Sequence, residues 1–477
     1  MTSTPTRMNG TMSANDTLLW TIARDPVLRT AVVAVLMLDR SPPWEDVQER
    51  VRALTQLVPR FRSRVQPASP LGWGRPVWVE DEGFDLDVHL RRMVAPPPAT
   101  FRTVLDLAQV MGTTAFDPEL PLWEAVVVEG VEGGRAALVV KLHHAVADGV
   151  GGIAVILHLL DRHRVPRHGN RTSDATSIGD SSPNDGSGPG NGGMGTKLRK
   201  GFAELVPAWR RVLDATRHAA ANPVAQINRT RAMAESVGRL LAPARRPFSP
   251  LMTARSLGRR FEVLDLSTDL LRQAAAVTGG TLNDVLLTGV LGGLRRYHLE
   301  HGIEVEQLRV LMPVNVRGDS DAVGGNHFVP ARFALPVLAD PVELLRRVHE
   351  IAGSWKHAPG LGMSNVLAGA LDLLPAPLSS ALWGSMLKGD DFVVTNVPGP
   401  PFETYLVGAH VEQLFGFAPA SGAALNVALL TPAGRSCVGV TIDTAAIPDA
   451  ALMRSCLQEG LDEVVHLAPD SRQVAEA

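Results

Sequence analysis

The stretch RAALVVKLHHAVADGVGG, residues 135 to 152, decides how the rest of the chain is read. Its apolar run AALVVKL reads as a buried strand, and His143 and His144 stand where that strand ends. Asp148 and Gly149 follow at short spacing, and then the helix-like run IAVILHLL begins. This layout carries an imidazole to the mouth of a core, with a carboxylate and a tight turn behind it. Imidazole is the side chain best suited to removing a proton near neutral pH. Neighbouring residues on a strand point to opposite faces, so one histidine faces the chemistry and the other the packing. That argues against a metal shared by the pair, and neither HExxH nor CxxC accompanies it.

Upstream, VLRTAVVAVLMLD (Val27 to Asp39) reads as a buried strand, and WEDVQERVRALTQLV (Trp44 to Val58) as a helix with acidic residues early. PVWVE and FDLDVHL alternate like strands, FRTVLDLAQVMGTTAF has helical spacing, and AVVVEG joins RAALVVKLHH through a glycine-containing turn. Residues 1–15 are a loose terminus and 16–164 a first mixed α/β domain. Residues 165–196 are dominated by Gly, Ser, Asn, Asp and Pro and read as a disordered linker. Residues 197–255 form a basic amphipathic helical connector. Its basic residues, Arg210, Arg211 and Arg217 among them, outnumber Glu204, Asp214 and Glu235, and Trp209 lies on the apolar side. Such a segment either packs between domains with its charges solvated or attaches to an anionic lipid surface.

Residues 256–477 again alternate strands and helices. FEVLDLS, LRVLMPVNVR, HFVPARFALPV and FVVTNVPGP read as strands, and ALNVALLTPAGRSCVGVTID as a hairpin. TLNDVLLTGVLGGLRRYHLEHG and PDAALMRSCLQEGLDEVVHL read as helices, and DPVELLRRVHEIAGSWK as a helix entered through Asp340 and Pro341.

At 477 residues, 45% hydrophobic and 20% charged, the chain has room for two or three globular domains. A net charge of −3 gives no signal for nucleic acid. Two cysteines, Cys437 and Cys456, make no disulfide framework and suit a reducing cytosol. No signal peptide and no uninterrupted apolar run of about 18 residues is visible, so no spanning helix is expected.

HHxxxDG occurs with FDPELPLWE (116–124), TLNDVLL (281–287), LMPVNVRGD (311–319) and GGNHF, TNVPGP (395–400) and SGAALNVAL (421–429). This ordered set resembles the bacterial wax ester synthase/diacylglycerol acyltransferase family, within the coenzyme A-dependent acyltransferase superfamily. The resemblance runs from about Asp16 to Leu467, apart from the 165–196 insert. It implies an α/β fold of two chloramphenicol acetyltransferase-like mixed-sheet domains with the active site in a channel between them. The chain departs from the family in NDTLLW near its start and in TARSLGRR before Phe261; both departures bear on the acyl or acceptor channel.

By this resemblance His144 is the general base, while His143 packs or orients the turn. Asp148 holds the loop structurally, with Arg62 a candidate partner by analogy with condensation domains. Gly149 permits the turn and a close backbone approach. Pro121, Leu122 and Trp123 read as packing beside the site. Asn283 and Asp284 either cap a helix or position the site from the second domain. Asn396, Pro398 and Gly399 read as a rigid turn at the domain junction. The expected substrates are acyl-CoA and a diacylglycerol, or a long-chain alcohol giving a wax ester. No cofactor or metal is expected, and no nucleic-acid partner. The expected location is cytoplasmic, peripheral to a lipid droplet or the inner membrane surface. Two other readings are a non-catalytic lipid-binding homologue and a condensation-type enzyme using carrier-protein thioesters.

Overall fold

Apolar runs such as AVVAVLML and AALVVKL need partners on both edges and both faces, and their pairing organises the molecule. The computed structural model describes residues 10–69, 74–147, 149–164, 246–276, 279–315, 328–356, 384 and 387–467. The expected linker at 165–196, most of the basic connector at 197–255, and Asp148 lie outside the described residues.

The first part of the chain runs β1 (Gly10–Thr11), α1 (Ala14–Ile22), β2 (Ala31–Leu38), α2 (Trp44–Leu57), β3 (Ser63–Gln66), β4 (Val77–Glu80), α3 (Leu86–His89), β5 (Leu90–Val94), α4 (Phe101–Thr113), β6 (Trp123–Val131), β7 (Arg135–His143) and α5 (Gly149–Leu159). The second part runs β8 (Arg259–Ser267), α6 (Thr268–Ala276), α7 (Leu282–Glu300), β9 (Gln307–Asn315), β10 (Phe328–Pro336), α8 (Pro341–Lys356), β11 (Phe392–Val397), β12 (Tyr405–Leu406), β13 (Ala409–Phe417), β14 (Leu425–Leu430), β15 (Arg435–Asp443) and α9 (Ala450–Val465). Local chemistry sets many of these boundaries. In α2, Glu45 and Asp46 occupy the first turn, while Val47, Val51 and Leu54 face the core. Asp449 opens α9 by accepting the Leu452 N–H at 3.0 Å. FDLDVHL, whose alternation reads as a strand, instead makes the helical turn α3. Asp85 caps it by accepting the Asp87 N–H at 3.0 Å, so local side-chain capping outweighs the alternation.

Among the described residues there are two six-stranded sheets. The first has the order β12-β13-β2-β7-β6-β5, antiparallel except for the parallel β5–β6 pair. The second has the order β10-β9-β11-β14-β15-β8, with β11 parallel to both β9 and β14. The crossing of β12 and β13 is not foreseen by a boundary at residue 256. They come from the second part of the sequence but complete the first sheet, where Phe417 pairs with Val33 and Phe415 with Val35. Each sheet is packed on both faces, and one core is common to the two. It gathers Val33, Val35 and Met37 of β2, Val104, Leu105 and Ala108 of α4, and Phe261, Phe415, Phe417 and Cys437. Phe261 and Phe417 stack there with ring centres 4.3 Å apart. Gly439 of β15 lies so close to β13 that a Cβ would stand 2.1 Å from the Gly416 carbonyl oxygen. The seam between the sheets therefore excludes a side chain at that point.

Candidate active site

Strand β7 ends at His143, and the chain then turns: the Val146 N–H donates to the His143 carbonyl at 2.8 Å. The beginning of β2 holds both histidines. Ala31 pairs with His143, and the His144 N–H donates to the Thr30 carbonyl at 2.9 Å. On the other side, the His143 N–H donates to the Leu122 carbonyl at 3.0 Å, which ties the turn to the PLW segment.

The two imidazoles have different surroundings. His143 is only 4% exposed, with Trp20 and Phe116 rings 5.6 and 5.8 Å away. Its Nδ1 accepts the Ala145 N–H at 3.1 Å. Nδ1 therefore carries no proton in the neutral ring, and Nε2–H donates to Thr30 Oγ1 at 3.1 Å. Burial, then the nearby His144 and Lys141, pushes the His143 pKa from 6.5 down to about 3. A group this reluctant to hold a proton is a poor acceptor at neutral pH. His144 is half-buried instead. Lys141, fully buried, pairs with Glu124 at 2.9 Å, and burial holds its ammonium below the ordinary lysine range.

Arg60 secures the turn. Its Nη1 donates to the carbonyls of Ala145 at 3.0 Å and Val146 at 3.1 Å, and its Nη2 pairs with the buried Asp16 at 3.1 Å. Arg62, the arginine singled out from the sequence, lies over the Phe84 ring at 5.1 Å, and its Nε has no hydrogen-bond partner among the described residues. The 3-10 turn Pro59–Arg62 accounts for the difference by aiming residues two apart in different directions. Asp148, the proposed partner of Arg62, lies outside the described residues. The PRFR segment signals arginines near the site but not which of them reaches it; the acidic residue of NDTLLW is the buried Asp16.

Pro121, Leu122 and Trp123 are buried. Trp123 Nε1–H donates to the Phe61 carbonyl at 2.8 Å, and its ring stacks on His89 at 4.9 Å. The His89 Nδ1–H donates to the Trp123 carbonyl at 2.8 Å, and burial holds the His89 pKa below the ordinary histidine range. Trp123 thus supports the wall behind the histidines.

The second sheet reaches the same place through β11. Gly149, the first residue of α5, is packed so that a Cβ would stand 2.8 Å from Val397 Cγ2. The preceding residue, Asn396, donates through Nδ2 to Asn283 Oδ1 at 2.8 Å. The TNVPGP and TLNDVLL signatures are therefore joined side chain to side chain, and both adjoin the start of the HHxxxDG helix. Pro398 is exposed, whereas a Cβ on Gly399 would meet Pro432 N at 2.6 Å. Asp284 is buried and faces the other way. Its Oδ2 accepts from Thr281 N–H at 2.7 Å and Thr281 Oγ1–H at 2.9 Å, and His349 Nδ1 lies 2.9 Å from it. The two readings of this pair thus divide between its members: Asp284 caps α7, and Asn283 contacts β11.

Residues 12–286 match the wax ester synthase/diacylglycerol acyltransferase catalytic domain, and residues 324–464 match the C-terminal domain of that family. A Mycobacterium tuberculosis protein named as a diacylglycerol O-acyltransferase is 34% identical over 97% of this chain and 93% of its own length. The fold is similar to that of the wax ester synthase/diacylglycerol acyltransferase from Marinobacter aquaeolei VT8, with a TM-score of 0.62 at 21% identity over 96% of this chain and 99% of that one. It is also similar to the first condensation domain of the calcium-dependent antibiotic synthetase, with a TM-score of 0.60 at 18% identity over 97% of both chains.

Proposed function

The chain belongs to the wax ester synthase/diacylglycerol acyltransferase family and is an acyltransferase; we propose that it moves an acyl group from acyl-CoA to the free hydroxyl of a diacylglycerol, with His144 as general base. The observation that carries this assignment is the difference between the two histidines. His143 is locked in one neutral tautomer by Ala145 and Thr30 and holds a proton poorly, which leaves His144 to receive it.

An unactivated alcohol has a pKa far above that of imidazole, so free alkoxide does not form first. His144 takes the hydroxyl proton as the oxygen attacks the thioester carbonyl. The tetrahedral intermediate collapses by breaking the C–S bond, and the proton on His144 is available to the departing CoA thiolate. The products are an ester and CoA, with no acyl-enzyme intermediate and no call on a metal or redox group. Such a base contributes about 10²–10⁴-fold, or roughly 3–5 kcal/mol of barrier. Holding both substrates in line supplies the rest of the orientation.

A diacylglycerol resides in a membrane or droplet, so the enzyme meets it at an interface. No helix among the described residues is long and apolar enough to cross a membrane. The basic composition of residues 197–246, with Trp209, supports peripheral attachment at roughly 1 kcal/mol per basic residue near anionic headgroups.

The test is incubation of the purified chain with labelled palmitoyl-CoA and a panel of diacylglycerol, long-chain alcohol and amine acceptors, with products resolved by lipid chromatography. Labelled triacylglycerol is expected, and His144→Ala should lower its rate by about 10²-fold or more. Near-wild-type transfer by folded His144→Ala refutes the assignment of the base; product from amines alone refutes the acceptor.

A further inference from the structure

A cleft of about 490 Å³, its open mouth included, lies along the seam between the two sheets. One wall is Arg29, Ala31, Gly112 and Thr113, at the start of β2 and the end of α4. The facing walls include Leu257, Phe261, Phe417 and Thr441. Arg29 and Ala31 flank Thr30, whose carbonyl and hydroxyl hold the two histidines, so the cleft borders the strand segment that carries the site.

Two buried polar atoms at this seam lack partners among the described residues: Thr441 Oγ1 and Asn426 Oδ1. Thr441 is 4% exposed and Asn426 2%. They are directly opposite in the β14–β15 pair, so their side chains share one face of the sheet. The orientation of Asn426 is fixed, because its Nδ2 donates to the carbonyl of Pro419, itself a cleft residue, at 2.8 Å. Its Oδ1 therefore needs a donor, while Thr441 Oγ1–H both donates and accepts. An amide, with one N–H and one C=O, offers both complements. Leaving such buried atoms unmatched is costly, so an arrangement of this kind marks a place where a polar group binds. The remaining walls are largely apolar. Arg29 donates to the Thr113 carbonyl at 2.6 Å and pairs with no carboxylate among the described residues, which leaves its charge for an anion.

We propose that this cleft receives the pantetheine arm of the acyl-CoA donor, with Thr441 and Asn426 reading one of its amides and Arg29 facing its phosphate. The proposal rests on the acyl-CoA reading of the site above. Neither a diacylglycerol nor a fatty alcohol carries an amide or an anionic group, so the cleft selects the donor and leaves the acceptor another route to His144. The SGAALNVAL signature, which contains Asn426, then has a function in donor binding.

Thr441→Val removes the hydroxyl at nearly constant volume. It should raise the KM for palmitoyl-CoA roughly 5- to 50-fold and weaken calorimetric binding of free CoA by a similar factor, with kcat and the acceptor KM unchanged. Thr441→Ser should restore wild-type values. Ala418→Phe, which fills the half-open wall, should reduce CoA binding without unfolding the chain; circular dichroism and a thermal melt verify folding of each variant. Unchanged CoA affinity and KM in both Thr441→Val and Ala418→Phe overturn the proposal and leave the polar pair to a buried water. A change confined to the acceptor KM also overturns it. Wild-type protein that neither binds CoA nor transfers palmitate would instead overturn the acyl-CoA reading itself.

Discussion

Replacing His143 by glutamine separates a structural from a chemical role for the first histidine. The wild-type ring is buried and neutral, donating through Nε2 to Thr30 and accepting at Nδ1 from the Ala145 N–H. Its pKa falls from 6.5 to about 3 on folding, because burial and the neighbouring His144 and Lys141 oppose the charged form. Between those values the unfolded chain binds a proton that the folded chain refuses. The stabilising contribution is complete above pH 6.5 and is lost as pH falls toward 3, at about 1.4 kcal/mol per pH unit. Acidifying from pH 7 to pH 5 should therefore cost the wild type about 2 kcal/mol through this residue alone. His143→Gln keeps a donor for Thr30 but does not titrate. Its stability at pH 7 should be lower, through imperfect packing, and its decline with acid shallower by that same amount. Urea unfolding followed by circular dichroism at half-unit pH steps measures both slopes, and their difference isolates His143 from every other carboxylate and histidine. Equal slopes for wild type and variant between pH 6.5 and 4.5 would refute the reasoning. The acid limb of kcat/KM should survive in His143→Gln, because it belongs to His144; its disappearance would reverse the two roles.

Three further outcomes follow from contacts at the turn. Gly149→Ala forces a methyl within 2.8 Å of Val397 Cγ2 and should cost about 1–3 kcal/mol in a thermal or urea melt, with Val397→Ala restoring most of the loss in the double variant. Arg60→Met strands the buried Asp16 and removes the donors to Ala145 and Val146, so unfolding free energy should drop by about 3 kcal/mol and acyl transfer should fall with it; a variant with wild-type stability and rate would show that the turn holds itself. Asn283→Ala and Asn396→Ala should each slow transfer, and the double variant should be no slower than the worse single one, because both delete the same 2.8 Å hydrogen bond; additive losses would mean that the residues act separately.

Much of this architecture is legible in the chain because its signals are local. The β6–β7 hairpin follows from two apolar runs around a glycine turn, and α7, α8 and α9 from helical spacing behind Thr281, Asp340 and Asp449. The strand-end placement of His143 and His144 follows in the same way. What the chain conceals is set by choices between distant partners. Residues 409–417 carry no mark that assigns them to β2 rather than to a strand of their own half; the assignment depends on Phe415 and Phe417 filling the core under α4. Arg60 and Arg62 have the same chemistry and nearly the same address, and only the path of the 3-10 turn decides which guanidinium meets the Ala145 and Val146 carbonyls. The Asn283–Asn396 bond spans 113 residues and joins two signatures that each look complete alone.

The exchanged strand explains how a site assembled from two halves keeps its geometry. Contacts such as Gly149 against Val397 tolerate little displacement, since side-chain packing loses much of its attraction over a gap of about 1 Å. If each half carried a closed sheet, only side-chain packing would fix the distance between them. Here β13 is hydrogen-bonded along β2, and β2 begins beside Thr30, which holds both histidines. The same strand runs on to Pro419, whose carbonyl accepts from Asn426 in the second sheet. A backbone ladder therefore connects the catalytic turn to the opposite wall, and moving one half against the other requires breaking β-sheet hydrogen bonds as well as sliding the stacked Phe261 and Phe417 rings. The tolerance of the site is thus set by a sheet edge, which is why a strand from the second half of the sequence belongs to the first half's fold.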